Sequence, residues 1–294
     1  MAERVLVTGA AGLLGGRVAT LLAARFEVVA ACHHAPAPPG LEEVALDLLD
    51  PASIAAALDR VRPQAVVHSA AQSNPDRSER DPGPATRLNV DATAALAREC
   101  RERGMRMVAL STDLVFAGRR SFVREEDDAE PMLVYGRTKL QGEEALLSEL
   151  PGAAVLRLAL VAGRGHGPRR TCTETIAEAL DEGRPLRLYT DQIRTPVDSA
   201  SVADAIARVL ERGASGRFHL GGPERLSRYQ LGLRVAAALG LAAERLEPVT
   251  GAEMPQDAPR PHDTSLDSSR ARRELGWEPR RIDDAIRDGR RARG

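Results

Sequence analysis

The sequence predicts an α/β protein built on a doubly wound parallel sheet. Short apolar runs alternate with segments of helical pattern, which is typical of a parallel sheet with helices on both faces. The runs predicted as strands are 4–7, 27–31, 65–68, 106–111 and 153–161. A first predicted helix lasts to about Arg25, and the later ones are 51–60, 84–103 and 135–150.

A change of rhythm after Gly163 predicts a second, smaller region with α+β structure. Pro and charge clusters accompany short helical patterns there, including 174–182. Residues 201–212 and 217–220 have the pattern of a helix and a strand that return to the first sheet. The expected large domain is 1–163 with 195–221, and the expected smaller region is 164–194 with 222–294.

Composition and charge exclude several classes of function. The chain has 294 residues and a formal net charge of −1, which argues against nucleic acid as a partner. Its three cysteines are widely spaced, so neither a disulfide framework nor a metal site is predicted. The first strand begins directly after the initiator, and no run reaches the ~18 apolar residues of a membrane span. We expect a cytoplasmic protein without a membrane anchor.

A glycine-rich turn follows the first predicted strand directly. Strand, turn and helix in this order form the dinucleotide-binding turn of a Rossmann fold. Gly9 is suited to the tight turn, Gly12 to a close approach of a pyrophosphate, and Gly15 to close packing of the helix. The free N–H groups at the start of that helix would then hold the phosphates.

Lys139 is the only lysine among 41 basic residues, and it lies four positions after Tyr135. On a helix this spacing places both side chains on one face. A neighbouring ammonium stabilises a phenolate and so lowers the pKa of a phenol. Tyr135 is therefore a candidate proton donor, and the alternative is an accidental pair on a solvated helix face.

Further motifs occur in a specific order along nearly the whole chain. They are Asp47-Leu48-Leu49-Asp50, His68-Ser69-Ala70-Ala71, Leu88-Asn89-Val90, Ser111 to Phe116, Asp191-Gln192, Thr195-Pro196, Arg260-Pro261 and Leu266-Asp267. Together with the glycine turn and the Tyr/Lys pair, they resemble the extended short-chain dehydrogenase/reductase family, in its dTDP-4-dehydrorhamnose reductase branch. The chain equally resembles the regulatory β subunit of methionine adenosyltransferase, which shares that fold and binds NADP.

The resemblance implies that Thr112, Tyr135 and Lys139 form a catalytic triad. Tyr135 would give a proton to a ketone oxygen while a hydride from reduced nicotinamide reaches the carbon, and Thr112 would hydrogen-bond that oxygen. Lys139 would bind the nicotinamide ribose and hold down the pKa of the phenol. A capping role is the alternative for Thr112, and also for Asp113, which would otherwise contact the substrate.

The resemblance also implies a set of contacts to NADPH or NADH. Asp47 would accept from the adenine amino group, unless it caps the helix that starts near Pro51. The expected cofactor-binding residues are Gly9, Ala11, Gly12, Leu13, Leu14, His33, Asp47, Leu48, Ala70, Ala71, Tyr135 and Lys139.

Several positions depart from the pattern of the reductase branch. Leu160 and Ala162 stand where Trp and Tyr are usual, so an aromatic wall for a sugar or base is missing. Arg194 replaces a small residue, and with Arg260 it is a candidate for binding the diphosphate of a substrate. These departures leave the redox residues intact and put the dTDP-hexose substrate in question.

The loop after the second predicted strand bears on cofactor choice. An acid there binds the ribose 2′-hydroxyl of NAD and repels the 2′-phosphate of NADP, but this chain has His33 and His34 instead. Either imidazole could donate to the phosphate, and Arg17 could add positive charge. We expect a modest preference for NADPH; the alternative is a loop indifferent to the phosphate.

These observations indicate an NAD(P)H-dependent reductase of a nucleotide-activated 4-keto-6-deoxy sugar, with 164–194 and 222–294 binding the substrate. The alternative is a non-catalytic, NADP-binding regulatory subunit that docks on another enzyme. The expected partner is a nucleotide sugar, and the sequence leaves open whether the chain forms a homodimer.

Overall fold

The computed structural model describes residues 2–254 and 256–291, and its main feature is a seven-stranded sheet. The strands described are β1 (Arg4–Thr8), β2 (Glu27–Cys32), β3 (Glu42–Ala45), β4 (Ala65–His68), β5 (Arg106–Thr112), β6 (Ala154–Leu158), β7 (Val161–Ala162), β8 (Leu186–Tyr189), β9 (Ile193–Arg194), β10 (Val197–Asp198), β11 (Gly216–Leu220), β12 (Leu226–Ser227) and β13 (Leu246–Val249). The helices described are α1 (Leu13–Leu22), α2 (Pro51–Val61), α3 (Pro75–Arg80), α4 (Pro82–Thr86), α5 (Ala92–Glu102), α6 (Val134–Glu149), α7 (Cys172–Asp181), α8 (Ser199–Arg212), α9 (Arg228–Leu239), α10 (Ser269–Leu275) and α11 (Ile282–Arg291).

The strand order of the large sheet is β11-β6-β5-β4-β1-β2-β3, and every neighbouring pair is parallel. This arrangement confirms the predicted fold class. The chain runs outward from β1 to the edge strand β3 and then returns to β4, on the other side of β1. Such a switch point opens a crevice at the carboxyl ends of the strands, where ligands bind in this class of fold.

Two apolar layers cover the faces of the large sheet. Val5 and Val7 of β1 face the layer that contains α1 and α8, whereas Leu6 faces the layer that contains α2 and α5. This alternation follows from the two-residue repeat of a strand. Every one of these three side chains is fully buried, so β1 is fixed on both faces and holds the glycine turn in place.

The segment predicted as one helix over 84–103 is divided in the structure. After α4, residues Arg87–Asp91 form a π-helical turn, which α5 follows. The side chain of Asn89 in this turn accepts from Gln72 N at 2.9 Å and donates to Thr138 Oγ1 at 3.0 Å. A Cβ on Gly142 would lie 2.2 Å from Asn89 O, so α6 packs directly against the turn. This contact is tertiary, and the local pattern could not predict it.

The run predicted as one strand over 153–161 is also divided. β6 stays in the large sheet, whereas β7 pairs with β10 and leads into a smaller apolar core. Ile176, Leu231 and Ile286 are buried in that core, between α7, α9 and α11. The parallel pair of β8 and β13 completes the region, which is the α+β unit that the sequence predicted in this part of the chain.

One part of the predicted smaller region belongs to the large domain. Ala271, Leu275 and Trp277 lie in the apolar layer of the large sheet, and Trp277 Nε1 donates to Ser201 O at 2.8 Å. The assignment of all of 222–294 to the smaller region is therefore wrong around α10, and residues 292–294 lie outside the description. Across the residues described, no helix is long and apolar enough to cross a membrane.

Candidate active site

The glycine turn opens a cleft of about 700 Å³ at the switch point of the sheet. Gly9 has a φ of +67°, and a Cβ there would lie 2.8 Å from the backbone of Ala70. A Cβ on Gly15 would lie 2.2 Å from Gly9 O, so the start of α1 is pressed against the turn. Both expectations for these glycines hold, because only a residue without a side chain fits at either position.

The start of α1 presents backbone donors at this cleft. Gly12 is the N-cap and has no capping side chain, and the first bond of the helix joins Gly16 N to Gly12 O. The N–H groups of Leu13, Leu14 and Gly15 therefore precede the intrahelical ladder. The side chain of Leu14 packs against the core, so its backbone N–H is the group available to a phosphate.

The far end of the cleft contains the predicted adenine contacts. Leu48 and Ala70 line the cleft together with Ala11, whereas Ala71 is not among the lining residues described. Asp47 also lines it, and its Oδ1 accepts from Leu49 N at 2.9 Å. Asp50 caps α2 instead, so the alternative role proposed for Asp47 is excluded.

The histidine loop also borders the cleft, and its charge partners differ from those expected. His33 Nε2 lies 3.7 Å from Asp47 Oδ2, and the rings of His33 and His34 stack at 3.6 Å. Arg17 does not reach this loop: it lines a separate pocket with Arg164, so its expected contribution to a 2′-phosphate is wrong. The helix turns its side chain away from the cleft.

Among the residues of this cleft that sequence reasoning missed are four on α3 and on the loop before α7. Arg77 lines the cleft from α3, and His166, Pro168 and Arg169 line it from the loop. That loop is rich in Gly and Arg, a composition that indicates a loop but no binding role. With 40 arginines in the chain, the residue type gave no signal at Arg77 or Arg169.

Thr112, Tyr135 and Lys139 are placed by two neighbouring elements. Thr112 is the last residue of β5, and the other two lie one turn apart near the start of α6. The hydroxyl of Thr112 donates to Asp113 Oδ1 at 3.2 Å and lies close enough to the phenol of Tyr135 to influence its pKa. It also accepts from Leu114 N at 3.1 Å, so the capping role of Thr112 is present as well.

Burial dominates the pKa values in this group. Burial raises the pKa of Tyr135 to about 12, the negative charge of Asp113 acts in the same direction, and the hydroxyl of Thr112 opposes both. Burial lowers the pKa of Lys139 to about 8, against the opposing charge of Glu143. The expectation that Lys139 holds down the pKa of the phenol is therefore wrong, because loss of water penalises the phenolate more. At neutral pH the phenol carries its proton.

A buried ion-pair cluster lies one turn beyond Lys139. Glu143 accepts from Arg157 Nη2 at 2.8 Å, from Arg217 Nε at 3.1 Å and from Ser111 Oγ. Glu143 and Arg157 are both nearly inaccessible to water. The cluster ties α6 to β5, β6 and β11, and so fixes the helix that bears Tyr135 and Lys139. One feature of the sequence could have indicated this cluster, because Glu143 lies four residues after the only lysine.

A second pocket, of about 580 Å³, begins directly after Thr112, at Asp113 and Leu114, and extends into the smaller region. Asp113, Leu160, Arg194 and Arg260 all line it. Ala162 does not, because it is buried in the core of the smaller region. The substrate residues predicted from sequence are thus brought together, next to the strand that ends in Thr112.

The guanidinium of Arg194 is already bonded to other groups of the protein. Its guanidinium donates to Ile193 O at 2.6 Å and to Pro261 O at 3.1 Å, and its Nε lies 3.4 Å from Asp113 Oδ2. Asp113 also accepts from Thr264 Oγ1 at 2.5 Å, and both charged side chains are buried. Burial raises the pKa of Asp113, and the charge of Arg194 opposes this shift. Arg194 therefore links β9 to Asp113 and has little capacity left for a diphosphate.

Arg260 is also paired, with Asp76 of α3. Two bonds join the side chains, Nη2 to Oδ2 at 2.9 Å and Nη1 to Oδ1 at 3.2 Å. Arg187 and Arg228 line the same pocket, and neither has a carboxylate at ion-pair distance among the residues described. The sequence singled out two arginines that are already paired and missed these two.

Comparison with known proteins finds relatives of two kinds, methionine adenosyltransferase β subunits and reductases. The family described as RmlD substrate binding domain matches residues 3–290. Methionine adenosyltransferase 2 subunit beta of Bos taurus is 34% identical over 274 residues, which are 91% of this chain and 81% of that protein. The probable low-salt glycan biosynthesis reductase Agl14 of Haloferax volcanii is 32% identical over 95% of each chain.

Two solved structures have the same fold over their whole length. A hypothetical dTDP-4-dehydrorhamnose reductase from Sulfolobus tokodaii superposes with a TM-score of 0.85 at 29% identity, over 96% of this chain and 98% of that one. MoeE5 in complex with UDP-glucose and NAD gives a TM-score of 0.84 at 27% identity, over 99% and 100%. The family match covers nearly every residue, and the chain therefore belongs to the RmlD substrate-binding domain family.

Proposed function

We propose that this protein is an NAD(P)H-dependent reductase of the keto group of a nucleotide-activated 4-keto-6-deoxy sugar. The observation that carries the proposal is the position of Thr112 and Tyr135. Thr112 ends β5 at the carboxyl edge of the sheet, where the glycine-turn cleft opens and where Asp113 begins the second pocket, and Tyr135 lies nearby at the start of α6. One cleft suits a dinucleotide and the other a second ligand beside it.

The glycine-turn cleft is the site for NAD(P)H. MoeE5, a structural relative at 27% identity, holds NAD. The free N–H groups of Leu13, Leu14 and Gly15 suit a pyrophosphate, since a helix start favours anions. Asp47 supplies a carboxylate for the adenine amino group, and His33 supplies a donor for a 2′-phosphate.

When bound, the cofactor supplies a hydride to the carbonyl carbon of the substrate. Tyr135 is protonated at neutral pH, because its pKa is raised to about 12, and it gives that proton to the carbonyl oxygen. The products are an alcohol and the oxidised cofactor. Thr112 stabilises the oxygen as charge develops, and Lys139 binds the nicotinamide ribose.

The second pocket is the proposed site of the nucleotide sugar. We assign its diphosphate to Arg187 and Arg228, whose guanidinium groups are not paired with carboxylates, and not to Arg194 or Arg260. Leu160 offers an apolar wall where the reductase branch has an aromatic ring, so the sugar or base is packed differently. UDP-glucose in MoeE5 is a precedent for a nucleotide sugar on this fold.

Turnover tests the proposal directly. NADPH oxidation is followed with purified protein and a panel of nucleotide 4-keto sugars that includes dTDP-4-dehydrorhamnose. We expect at least one substrate to be reduced, with the Tyr135→Phe variant as the control for background oxidation. Absence of turnover across the panel, with cofactor binding intact, would contradict the reductase assignment.

A second function is supported by the similarity to methionine adenosyltransferase 2 subunit beta. In that case the chain is a regulatory subunit that binds NADP and docks on another enzyme. Recovery of one partner enzyme at a stoichiometric ratio, with no turnover on the panel, would favour it.

A further inference from the structure

A third pocket, of about 350 Å³, lies on the other side of the loop that borders the cofactor cleft. Three arginines from distant parts of the sequence line it: Arg17 of α1, Arg164 of the loop and Arg280 before α11. The proposed reduction uses none of these side chains. A volume of this size exceeds that of a single phosphate group, so a compact ligand fits.

The positive charge of this pocket is only partly compensated. Asp288 is paired with Arg280. Asp198 caps α8, where it accepts from Ala200 N at 2.8 Å and from Ser201 Oγ at 2.7 Å. Within 2–254 and 256–291, neither Arg17 nor Arg164 has a carboxylate at ion-pair distance.

Arg17 has an unsatisfied donor in this pocket. Its Nε is buried and has no hydrogen-bond partner among the described residues. Burial lowers the pKa of Arg17, repulsion from Arg164 and Arg280 adds to this effect, and the charges of Asp198 and Asp288 oppose it. A buried donor without a partner is costly, and in native proteins it commonly marks a bound water or ion. An anion between the guanidinium groups would satisfy the donor and remove the repulsion.

We propose that the pocket of Arg17, Arg164 and Arg280 binds a phosphate group. Guanidinium groups form paired hydrogen bonds with phosphate oxygens, and Arg17 and Arg164 have donors to offer. The start of α8 borders the pocket through Ser199 and Ala200, but Asp198 already occupies its backbone donors, so the arginines carry the proposal. The phosphate group belongs either to free phosphate or to a nucleotide.

This site is distinct from the cofactor cleft, although one loop separates the two. His166 packs against Gly16, where a Cβ would lie 2.3 Å from the imidazole ring, and His166 N donates to Leu13 O at 2.8 Å. His166 lines the cofactor cleft, whereas Arg164, two residues earlier, lines the third pocket. A phosphate in the third pocket can therefore bind while the dinucleotide is in place.

The test uses protein saturated with NADP⁺, so that phosphate cannot enter the cofactor cleft. Inorganic phosphate and ADP are titrated by calorimetry, with sodium chloride at matched ionic strength as the reference. We expect phosphate to bind above the chloride background, and Arg17→Gln and Arg164→Gln each to weaken binding at least about tenfold. Arg245→Gln removes an exposed guanidinium of the smaller region and is the matched control. Tighter binding of ADP than of phosphate, lost in Arg17→Gln, would identify a nucleotide as the source.

Three results would overturn the proposal. Phosphate could act no differently from chloride, or both variants could bind phosphate as tightly as the unaltered protein. Third, sedimentation could show a dimer that is lost in Arg17→Gln and is unaffected by phosphate. The guanidinium groups would then be paired with carboxylates of a second copy of this chain. The exposed Arg164 serves as the second variant if Arg17→Gln impairs folding.

Discussion

The glycine-turn cleft and the proposed substrate pocket lie on the same edge of the sheet but are built from different parts of the chain. The cleft is formed largely by backbone and small side chains around Gly9, Gly15 and Ala70, in contacts too close for any larger residue. The pocket is formed by long side chains such as Arg194 and Arg228, which come from separate segments. A site made of backbone leaves a compact sequence motif, whereas a site made of side chains from many segments leaves none.

Within the proposed substrate pocket, arginines that stabilise the fold differ from arginines that are free to bind a ligand. In the substrate pocket, Arg194 and Arg260 are held by protein partners, and Arg187 and Arg228 are not. Position in a pocket therefore does not identify a binding arginine, but the absence of a competing partner does. Five predictions follow, beginning with the largest expected effect.

Tyr135 is the proposed proton donor, and it is not among the described lining residues of either pocket. Tyr135→Phe keeps the ring and removes the proton, so turnover should fall by about 10²–10⁴, the usual contribution of a general acid. The Kd for NADPH should change little, because the cleft is built elsewhere. Rates measured with saturating cofactor decide the point, and a variant that keeps most of its activity would assign the proton to another group.

The paired and unpaired arginines should respond differently to the same substitution. Arg194→Met leaves Asp113 buried without its cation, so stability should fall by about 3–5 kcal/mol. Arg187→Met should leave the Tm unchanged and raise KM for the nucleotide sugar. Urea unfolding and steady-state kinetics on both variants make the comparison, and equal losses of stability would remove the distinction drawn here.

The loss caused by Arg194→Met should also depend on pH. Burial raises the pKa of Asp113 above its unfolded value, so the ionised carboxylate costs stability, and this cost appears as pH rises through the raised pKa. Without Arg194 the cost is larger. The variant should therefore be more destabilised at pH 8 than at pH 5; the opposite order would mean that Asp113 is not the group left unpaired.

Lys139→Arg should lower turnover by at least about tenfold while the fold survives, because a planar guanidinium cannot replace the compact ammonium. The pKa of Lys139 is lowered to about 8, so the unaltered enzyme should lose activity as pH rises through that value. The Arg variant keeps its charge and should show no such decline. Matching pH profiles for the two proteins would show that this amine does not limit the rate.

The smallest effect concerns the adenosine end of the cleft. An imidazole N–H of His33 or His34 can donate to the 2′-phosphate, so this loop should favour NADPH modestly. The carboxylate of Asp47, 3.7 Å from His33, competes with a phosphate for the ring. Asp47→Asn should therefore widen the preference. Titration of both cofactors measures it, and tighter binding of NADH than of NADPH would contradict this interpretation of the loop.

Local sequence patterns predicted much of the fold and the glycine-turn half of the site. The alternation of strands and helices predicted six strands of the large sheet, and the glycine spacing predicted the turn at Gly9. The edge strand β3 was missed because three of its four residues are exposed and two are acidic. Trp277 was placed in the wrong region because nothing near it in the sequence shows that it packs beside Ser201.

The errors in the site have a common physical origin. The pKa of Tyr135 was expected to fall because a lysine lies one turn away, but burial decides the outcome, and burial is a property of the whole fold. Arg194 was chosen for its charge, although its partner Asp113 is 81 positions away in the sequence. Sequence shows which charges exist; only the folded chain shows which are already paired.

The single lysine has a practical consequence for labelling. Its ε-amine is the only one in the chain, and a pKa of about 8 leaves much of it uncharged in mildly alkaline buffer. Because Lys139 is only 6% exposed, an acylating reagent reaches it when α6 moves away from the sheet. The rate at which the label appears on Lys139 would then report how often the site opens. The measurement is made at one known residue and needs no introduced probe.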